Sequence, residues 1–450
     1  MSGDPYLSGG VDFGDVLLAV GKAALAFVVL LVAVMLMVWF ERKVVGRLQN
    51  RLGPNVAGPF GLFQTLADGI KLFFKEDIIP TRADRFVFQL APYLSLVPAF
   101  LTFSIIPIGG DFSDGKNGQV TMFGRQTFLQ VADLPVGILF FLAMSSLAVY
   151  GIMLAGWSSG SKYPLLGSVR ASAQAISYEA ALGLSLASVL LVSGSLSTNR
   201  IVQVQAGAGF GEFIPNWNII VTGFVPFVVF LLAGTAELNR PPFDLVEAEQ
   251  EIVGGFHTEY SSIRFALFFL AEFMNTVTMS AIIVTLFFGG PAGPNLGFLP
   301  GWLWGFVWFF LKLLVFLFTF VWFRATLPRL RYDQLMDLGW KLLIPLALGW
   351  LLLLAGIRLA RSGEIDFGGS DFANVALVMS IGVAGLVVGA LLLSLAVRTA
   401  RTERLRAGGL EAVPRGEPDV PVVTAPMPDP SDPSNGSSGS PDSTMVAGKV

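Results

Sequence analysis

The chain alternates long apolar runs with short connections that gather most of its charge. By length and apolar content the runs predict nine membrane-spanning helices, at roughly 16–40, 86–108, 134–156, 173–193, 217–236, 265–289, 301–323, 341–357 and 372–397. A different pattern occupies the first connection. In FGLFQTLADGIKLFFKED, Leu62, Phe63, Leu66, Ile70, Phe73 and Phe74 recur at helical spacing, while Asp68, Lys71 and Lys75 share another face. Such a helix has two readings. It can lie in the membrane interface with its lysines reaching water, or it can wall a cavity for a ligand that is apolar along its length and charged at one end.

Composition agrees with the pattern. With 54% hydrophobic residues and 14% charged, and a mean hydropathy of +0.68, the chain lies far outside the soluble range and has no room for a large soluble domain. The expected fold class is all-α, a polytopic helical membrane protein. There is no cysteine and a single histidine. An iron–sulfur cluster, a thiolate metal site or a bis-histidine haem therefore cannot be built from these side chains, and no metal site is expected. Any redox chemistry must come from a partner or a diffusible molecule.

The placement of charge orients the chain. Lys and Arg gather in the odd-numbered connections: Arg42, Lys43, Arg47 and Arg51 in the first, Arg240 and Arg264 in the fifth, Arg324, Arg329 and Arg331 in the seventh. By the positive-inside rule these connections are cytoplasmic and the N-terminus is outside. The segment 1–15, with three acids and no base, then forms an external end rather than a cleaved signal. A basic run from Arg398 to Arg406 follows the ninth span, and the remainder to residue 450 is rich in Pro, Ser, Gly and Asp. It is expected to be a disordered cytoplasmic tail.

The fifth connection carries the strongest chemical signal. AELNRPPFDLVEAEQEIVGGFHTEYS, residues 236–261, holds Glu237, Asp244, Glu247, Glu249, Glu251 and Glu259 beside His257. Asn239 as cap, Pro241 and Pro242 in a first turn and Gly254 with Gly255 at the end predict a short helix over 241–253. Asp244, Glu247 and Glu251 would fall on one face of it, next to an apolar stripe of Leu245, Ala248 and Ile252. A solvated acidic face is the plain reading. Against it, two bases cannot balance six acids, the stripe argues for docking, and Glu179 and Glu272 fall inside spans, where ionisable groups are costly enough to mark function. His257, beside Glu259 and a Gly-Gly turn, reads better as a structural hydrogen-bonder than as a catalyst. Lys312, within the seventh span, reads equally as a charge relay or as the partner of an acid.

Four stretches carry a resemblance: ERKVVGRLQNRLGPN, QAISYEAALG (174–183), AELNRPPFDLVEAEQEIVGGFHTEYSS and RATLPRLRYDQLMDLGWK. They resemble the signature segments of the H subunit family of proton-pumping NADH:quinone oxidoreductase, respiratory complex I. The similarity runs from about residue 16 to 357. It implies an eight-helix core over 16–357 that forms most of a quinone tunnel and the first part of a proton-coupling path; the extra helix over 358–398 and the tail over 399–450 depart from it. The resemblance associates Arg42, Lys71 and Phe73 with the tunnel, and Glu179, Glu237, Glu247, Glu249, Glu251 and Glu259 with an acidic funnel. Asp68 joins the first group, and Asp244 and Glu272 the second, on their positions alone.

The resemblance further implies that the chain binds no cofactor of its own, takes quinone as substrate, and leaves flavin and iron–sulfur clusters to partner subunits. Those partners would be hydrophilic quinone-module subunits and small membrane subunits in a bacterial cytoplasmic membrane; lipid surrounds the chain and no nucleic acid is involved. Rival functions are the membrane anchor of a related proton-pumping hydrogenase, a secondary transporter, for which no repeat with paired broken helices is found, and a purely structural anchor, which leaves the acids unexplained.

Overall fold

The computed structural model describes residues 4, 12–112, 117–122, 124–207, 216–244, 254–295, 300–362, 376, 379–380 and 382–383. The chain divides into two units, Met1–Ala390, which holds all of these, and Leu391–Val450. Of the predicted ninth span at 372–397 only residues 376, 379–380 and 382–383 are described, and the tail and the acids Glu247, Glu249 and Glu251 lie outside the described residues.

Helices dominate, as the apolar runs require: α1 (Phe13–Leu48), α2 (Gln64–Phe74), α3 (Arg85–Phe103), α4 (Gly137–Ser158), α5 (Lys162–Ser193), α6 (Thr198–Ala206), α7 (Asn218–Val221), α8 (Phe224–Glu237), α9 (Ser262–Phe287), α10 (Gly301–Thr326), α11 (Tyr332–Leu338) and α12 (Ile344–Arg361). A π-helical turn at Gly339–Leu343 joins α11 to α12. Counting α11 to α12 as one, seven helices among the described residues are long and apolar enough to cross a membrane. The predicted fifth span is shorter than expected. Gly223, at φ 83°, breaks it into α7 and α8, and α8 has 14 residues. The only sheet among the described residues is an antiparallel hairpin of β1 (Gln119–Met122) and β2 (Arg125–Phe128).

Local chemistry sets the helix ends. Asp12 caps α1, accepting from Phe13 N at 2.8 Å while Asp15 accepts from Asp12 N at 2.8 Å, and Asp84 caps α3 through Phe86 N and Val87 N. α5 stops at Gly194 in the left-handed region. At the C-terminal end of α2 the orphan carbonyls of Leu72 and Lys75 are taken by the hydroxyl of Ser262, at 2.9 and 2.7 Å, which ties α2 to the start of α9.

α9 is the axis of the bundle. Every residue from Thr276 to Phe287 is buried, with α1, α3 and α10 packed around it. The core continues through Leu30, Phe103, Phe141, Leu182, Phe230 and Phe309. Close approaches use small residues, as membrane helices do. A Cβ on Gly151 of α4 would stand 2.3 Å from Ser95 Oγ of α3, and one on Gly167 of α5 would stand 2.9 Å from the Gly255 backbone. The second contact seats the end of the acidic connection directly on α5. A smaller cluster of Phe88, Ala155, Ala171, Phe256, Tyr260 and Phe268 seals the same region.

Candidate functional site

The last turns of α1 meet α2 through charge. Arg42 Nη1 lies 2.5 Å from Asp68 Oδ2, Lys71 Nζ lies 3.8 Å from Asp68 Oδ1, and Gln64 Nε2 donates to Asp68 at 3.3 Å. Arg42, Asp68 and Lys71 are thus brought together. Partial burial opposes ionisation of Asp68, but the Arg42 guanidinium, aided by Gln64 and Lys71, outweighs it and holds the carboxyl below its ordinary value of 3.8. The stability it lends is present above that pH and is lost only as pH falls through the lower folded value, so the tether holds near neutrality. Lys43 secures the loop between the helices by donating to Pro54 O at 3.0 Å and Phe60 O at 3.2 Å. Phe73 does not join the charged group. It is exposed and packs edge-on against Phe74, on the apolar face that also carries Leu66 and Ile70.

One residue before Arg42, Glu41 turns inward. Arg240, from the start of the acidic connection, reaches it with Nη1 at 3.0 and 3.2 Å, and Arg240 Nε lies 3.0 Å from Glu272 of α9. Arg324 of α10 also pairs with Glu41. The Arg240 guanidinium sits 4.5 Å above the Phe273 ring. Glu41 and Arg240 are buried. Neither was singled out as a site residue from sequence; the available signal was a glutamate preceding Arg42 at the end of a span and an arginine inside an acidic segment.

The acidic connection starts on a fixed footing. Gln174 of α5 donates through Nε2 to Ala236 O at 2.8 Å, Phe243 O at 3.0 Å and Asn239 Oδ1 at 3.2 Å. Tyr178, one turn later, packs its ring against Phe243 and donates to Leu335 O at 2.8 Å. Asp244 pairs with Arg329 at 3.1 Å, and Leu330 N donates to Pro242 O at 3.0 Å. Asn239 adopts a left-handed backbone, and residues 241–244 form a turn rather than the predicted first turn of a helix. Residues 245–253 lie outside the described residues.

Glu237 ends α8 at the meeting of two cavities. One extends past Asn275 to Glu272 and His257; the other extends past Asn275 to Thr102, Ser145 and Thr278. Glu237 Oε2 is buried and has no hydrogen-bond partner among the described residues. Glu179 of α5 is near enough to act on Glu237 by charge, and its carboxylate accepts from Ser146 of α4. Glu237 and Glu272 therefore line one cavity, with Glu179 acting on Glu237 from outside its lining, whereas Glu259 sits at a partly exposed turn. His257 meets Phe256 and Phe265 edge-on, at 5.0 and 5.4 Å between ring centroids. Tyr260 stacks on Phe88 at 4.0 Å, and burial pushes its phenol up to about 12, so it stays neutral.

The contacts of Lys312 are with backbone carbonyls. Its ammonium donates to the carbonyls of Phe288, Gly290 and Ala292 at 2.8, 2.9 and 2.7 Å, with the Trp217 ring 5.1 Å away. It caps the turn that follows α9. Lys312→Met is expected to lower the thermal stability of the assembled protein by about 1–3 kcal/mol for carbonyls left unsatisfied, while activity per folded molecule is retained. Loss of activity at unchanged melting temperature would instead mark Lys312 as a relay.

Among the described residues no group of three or more His, Asp or Glu is placed to hold a metal ion. Comparison with known proteins gives a consistent result. The family model described as NADH dehydrogenase matches residues 21–355. The NADH-quinone oxidoreductase H subunit of Frankia alni is 52% identical over 81% of this chain and 77% of its own length. The protein of the same name from Frankia casuarinae is 52% identical over 77% of this chain and 74% of its own length, and that of Streptomyces avermitilis is 47% identical over 82% and 79%. Since the family match covers residues 21–355, nearly the whole helical core, the chain belongs to the NADH dehydrogenase family, among relatives named as the H subunit of NADH-quinone oxidoreductase.

Proposed function

We propose that the chain is the membrane subunit of a proton-translocating NADH:quinone oxidoreductase that receives quinone between α1 and α2 and passes the resulting charge change into the bundle. The observation that carries this reading is the connected series of ionisable groups. Arg42 and Asp68 stand at the α1–α2 ledge, Glu41 follows as the next residue inward, Arg240 bridges it to Glu272, and a cavity joins Glu272 to Glu237.

The physical chemistry suits such a role. The exposed apolar face of α2 matches an isoprenoid-like substrate arriving from lipid, and the charges at one edge suit a polar headgroup. Adding one negative charge about 10 Å from a carboxylate, at an effective dielectric near 20, costs ~1.7 kcal/mol, slightly more than one pKa unit. Reduction of a quinone beside Arg42 would therefore shift several carboxylates together, and they would titrate as a set. Glu247, Glu249, Glu251 and Glu259 are proposed to extend that set, with Asp244 holding the segment through Arg329. The electrons come from partner subunits carrying flavin and iron–sulfur clusters, since this chain has no cysteine. The basic connections favour an N-terminus outside and a tail in the cytoplasm of a bacterial inner membrane.

Arg42→Ala or Lys71→Ala in the assembled complex is expected to depress NADH:quinone turnover while NADH oxidation by a water-soluble artificial acceptor stays near normal. Parallel measurement of the two activities is the check. Equal loss of both would place the damage in assembly and sink the tunnel assignment.

A further inference from the structure

Glu237 shares the boundary between its two cavities with one other polar side chain. Ala148, Ile152, Glu237, Leu238 and Asn275 line both cavities. Ala148, Ile152 and Leu238 are apolar, so the polar part of the boundary consists of the Glu237 carboxyl and the Asn275 amide. Helix packing explains why the two meet. A Cβ on Gly234 of α8 would stand 3.2 Å from Met279 Sδ of α9. One turn nearer the acidic connection along each of these oppositely directed helices come Glu237 on α8 and Asn275 on α9.

Asn275 stands out on the axis of the bundle. Met274 before it and every residue from Thr276 to Phe287 after it are buried, whereas Asn275 is only half-buried, because it opens onto the cavities. The neighbouring Thr276 spends its hydroxyl on its own helix, donating to Glu272 O at 2.9 Å. The Asn275 amide has no hydrogen-bond partner among the described residues, so it does not serve to hold a neighbouring helix. An amide inside an apolar bundle is costly unless it is hydrogen-bonded. A water between Asn275 and Glu237 would find a donor and an acceptor on the amide and two acceptors on the carboxylate, enough polar partners to hold it.

We propose that Asn275 is a positioning residue for Glu237, its amide N–H donating to one bridging water that in turn donates to the carboxylate and keeps it open to both cavities. The proposal rests on the reading of Glu237 as a group that passes protons. A proton arriving from the side of Glu272 and His257 neutralises the carboxylate, and its departure toward Thr102 and Ser145 restores it. Asn275 itself neither gains nor loses a proton, since its amide only donates and accepts hydrogen bonds.

The test uses the assembled complex in vesicles. Asn275→Leu, close in size but without an amide, should leave NADH oxidation by a water-soluble acceptor and the KM for quinone near normal. It should lower kcat for quinone reduction about fivefold to tenfold, less than the loss of a proton-transfer group itself. It should also raise the solvent deuterium isotope effect on kcat, because proton transfer becomes limiting. Asn275→Gln, which restores an amide, should recover most of both. Should Asn275→Leu not assemble, Asn275→Ala, smaller and equally without an amide, carries the same expectation. Normal kcat and isotope effect in the variant lacking the amide overturn the proposal. So does a loss as large in Asn275→Gln, or a lower kcat with an unchanged isotope effect, either of which marks a packing role. Glu237→Gln separates the proposal from the reading beneath it. Normal pumping in Glu237→Gln removes that reading and the proposal with it, whereas impaired pumping there beside a normal Asn275→Leu removes only the role of Asn275.

Discussion

Arg240→Met is expected to abolish the assembled enzyme almost completely. Arg240 neutralises Glu41 and Glu272 from a position buried between α1 and α9. Removing one member of a buried ion pair leaves an uncompensated charge and costs about 3–5 kcal/mol, a large part of the stability of an ordinary domain. Because the cost lies in the carboxylates that lose this charge, Glu41 keeping only the half-exposed Arg324, rather than in the lost side chain, the triple variant Arg240→Met, Glu41→Gln, Glu272→Gln should recover much of the assembly. Arg324, half-exposed, can keep its charge in water when Glu41 is neutral. The measurement is the yield and melting temperature of the purified complex for the two variants. A single variant that assembles at the wild-type level would show that the junction contributes little. Failure of the triple variant to recover would show that the guanidinium is needed for its shape, against Phe273, and not for its charge.

Glu237→Gln should behave in the opposite way, with stability intact and function lost. Its Oε2 has no hydrogen-bond partner among the described residues, and Glu179 adds like charge. Replacing a buried carboxylate by an amide of the same size therefore removes a desolvation cost, and assembly should be unchanged or improved. If Glu237 passes protons between the two cavities, an amide that cannot ionise should depress quinone reduction and proton pumping together, by about tenfold or more for a group acting in proton transfer. Pumping measured in vesicles against NADH consumed gives the answer. Normal rate and stoichiometry in Glu237→Gln would remove Glu237 from the path, whatever its neighbours do.

Sequence and structure agree best where the governing interactions are local. The amphipathic α2 was legible because its apolar and charged residues follow one helical period, and its charge partner Arg42 stands at the end of a span. Seven of the predicted spans were legible from apolar length, with instructive errors at their ends. α5 begins at Lys162 rather than near 173, because a helix need not end with its apolar run when its extra turns find something to pack on, as Gly167 does against the backbone of Gly255. The run at 217–236 was divided by one glycine in a left-handed conformation, against which Trp350 packs. The β1–β2 hairpin left no clear signal, since four-residue strands are too short for alternation to stand out.

The Glu41–Arg240 junction was illegible for a different reason. Its two residues are 199 positions apart, and an ion pair made by tertiary packing has no period to detect. The positive-inside rule treats Arg240 as a marker of topology, when its charge is spent on groups from two other helices. The contacts of Lys312 were illegible for a like reason. Its partners are carbonyl oxygens, which every residue carries and no sequence pattern distinguishes.

The clamp at Gln174 restricts how this protein can change over generations. Its amide supplies donors to three acceptors in a site 1% exposed to solvent. Any single base change in a glutamine codon that alters the residue gives Glu, Lys, Arg, His, Leu, Pro or a stop. Glu and Leu have no donor to offer, Lys and Arg bring a charge into a closed space, His is shorter, and Pro breaks the helix. No one-step replacement keeps a neutral side chain of the same reach, so lineages can leave this position only through an unfit intermediate or a double change, and variants found there should be rare even where the surrounding helix drifts freely.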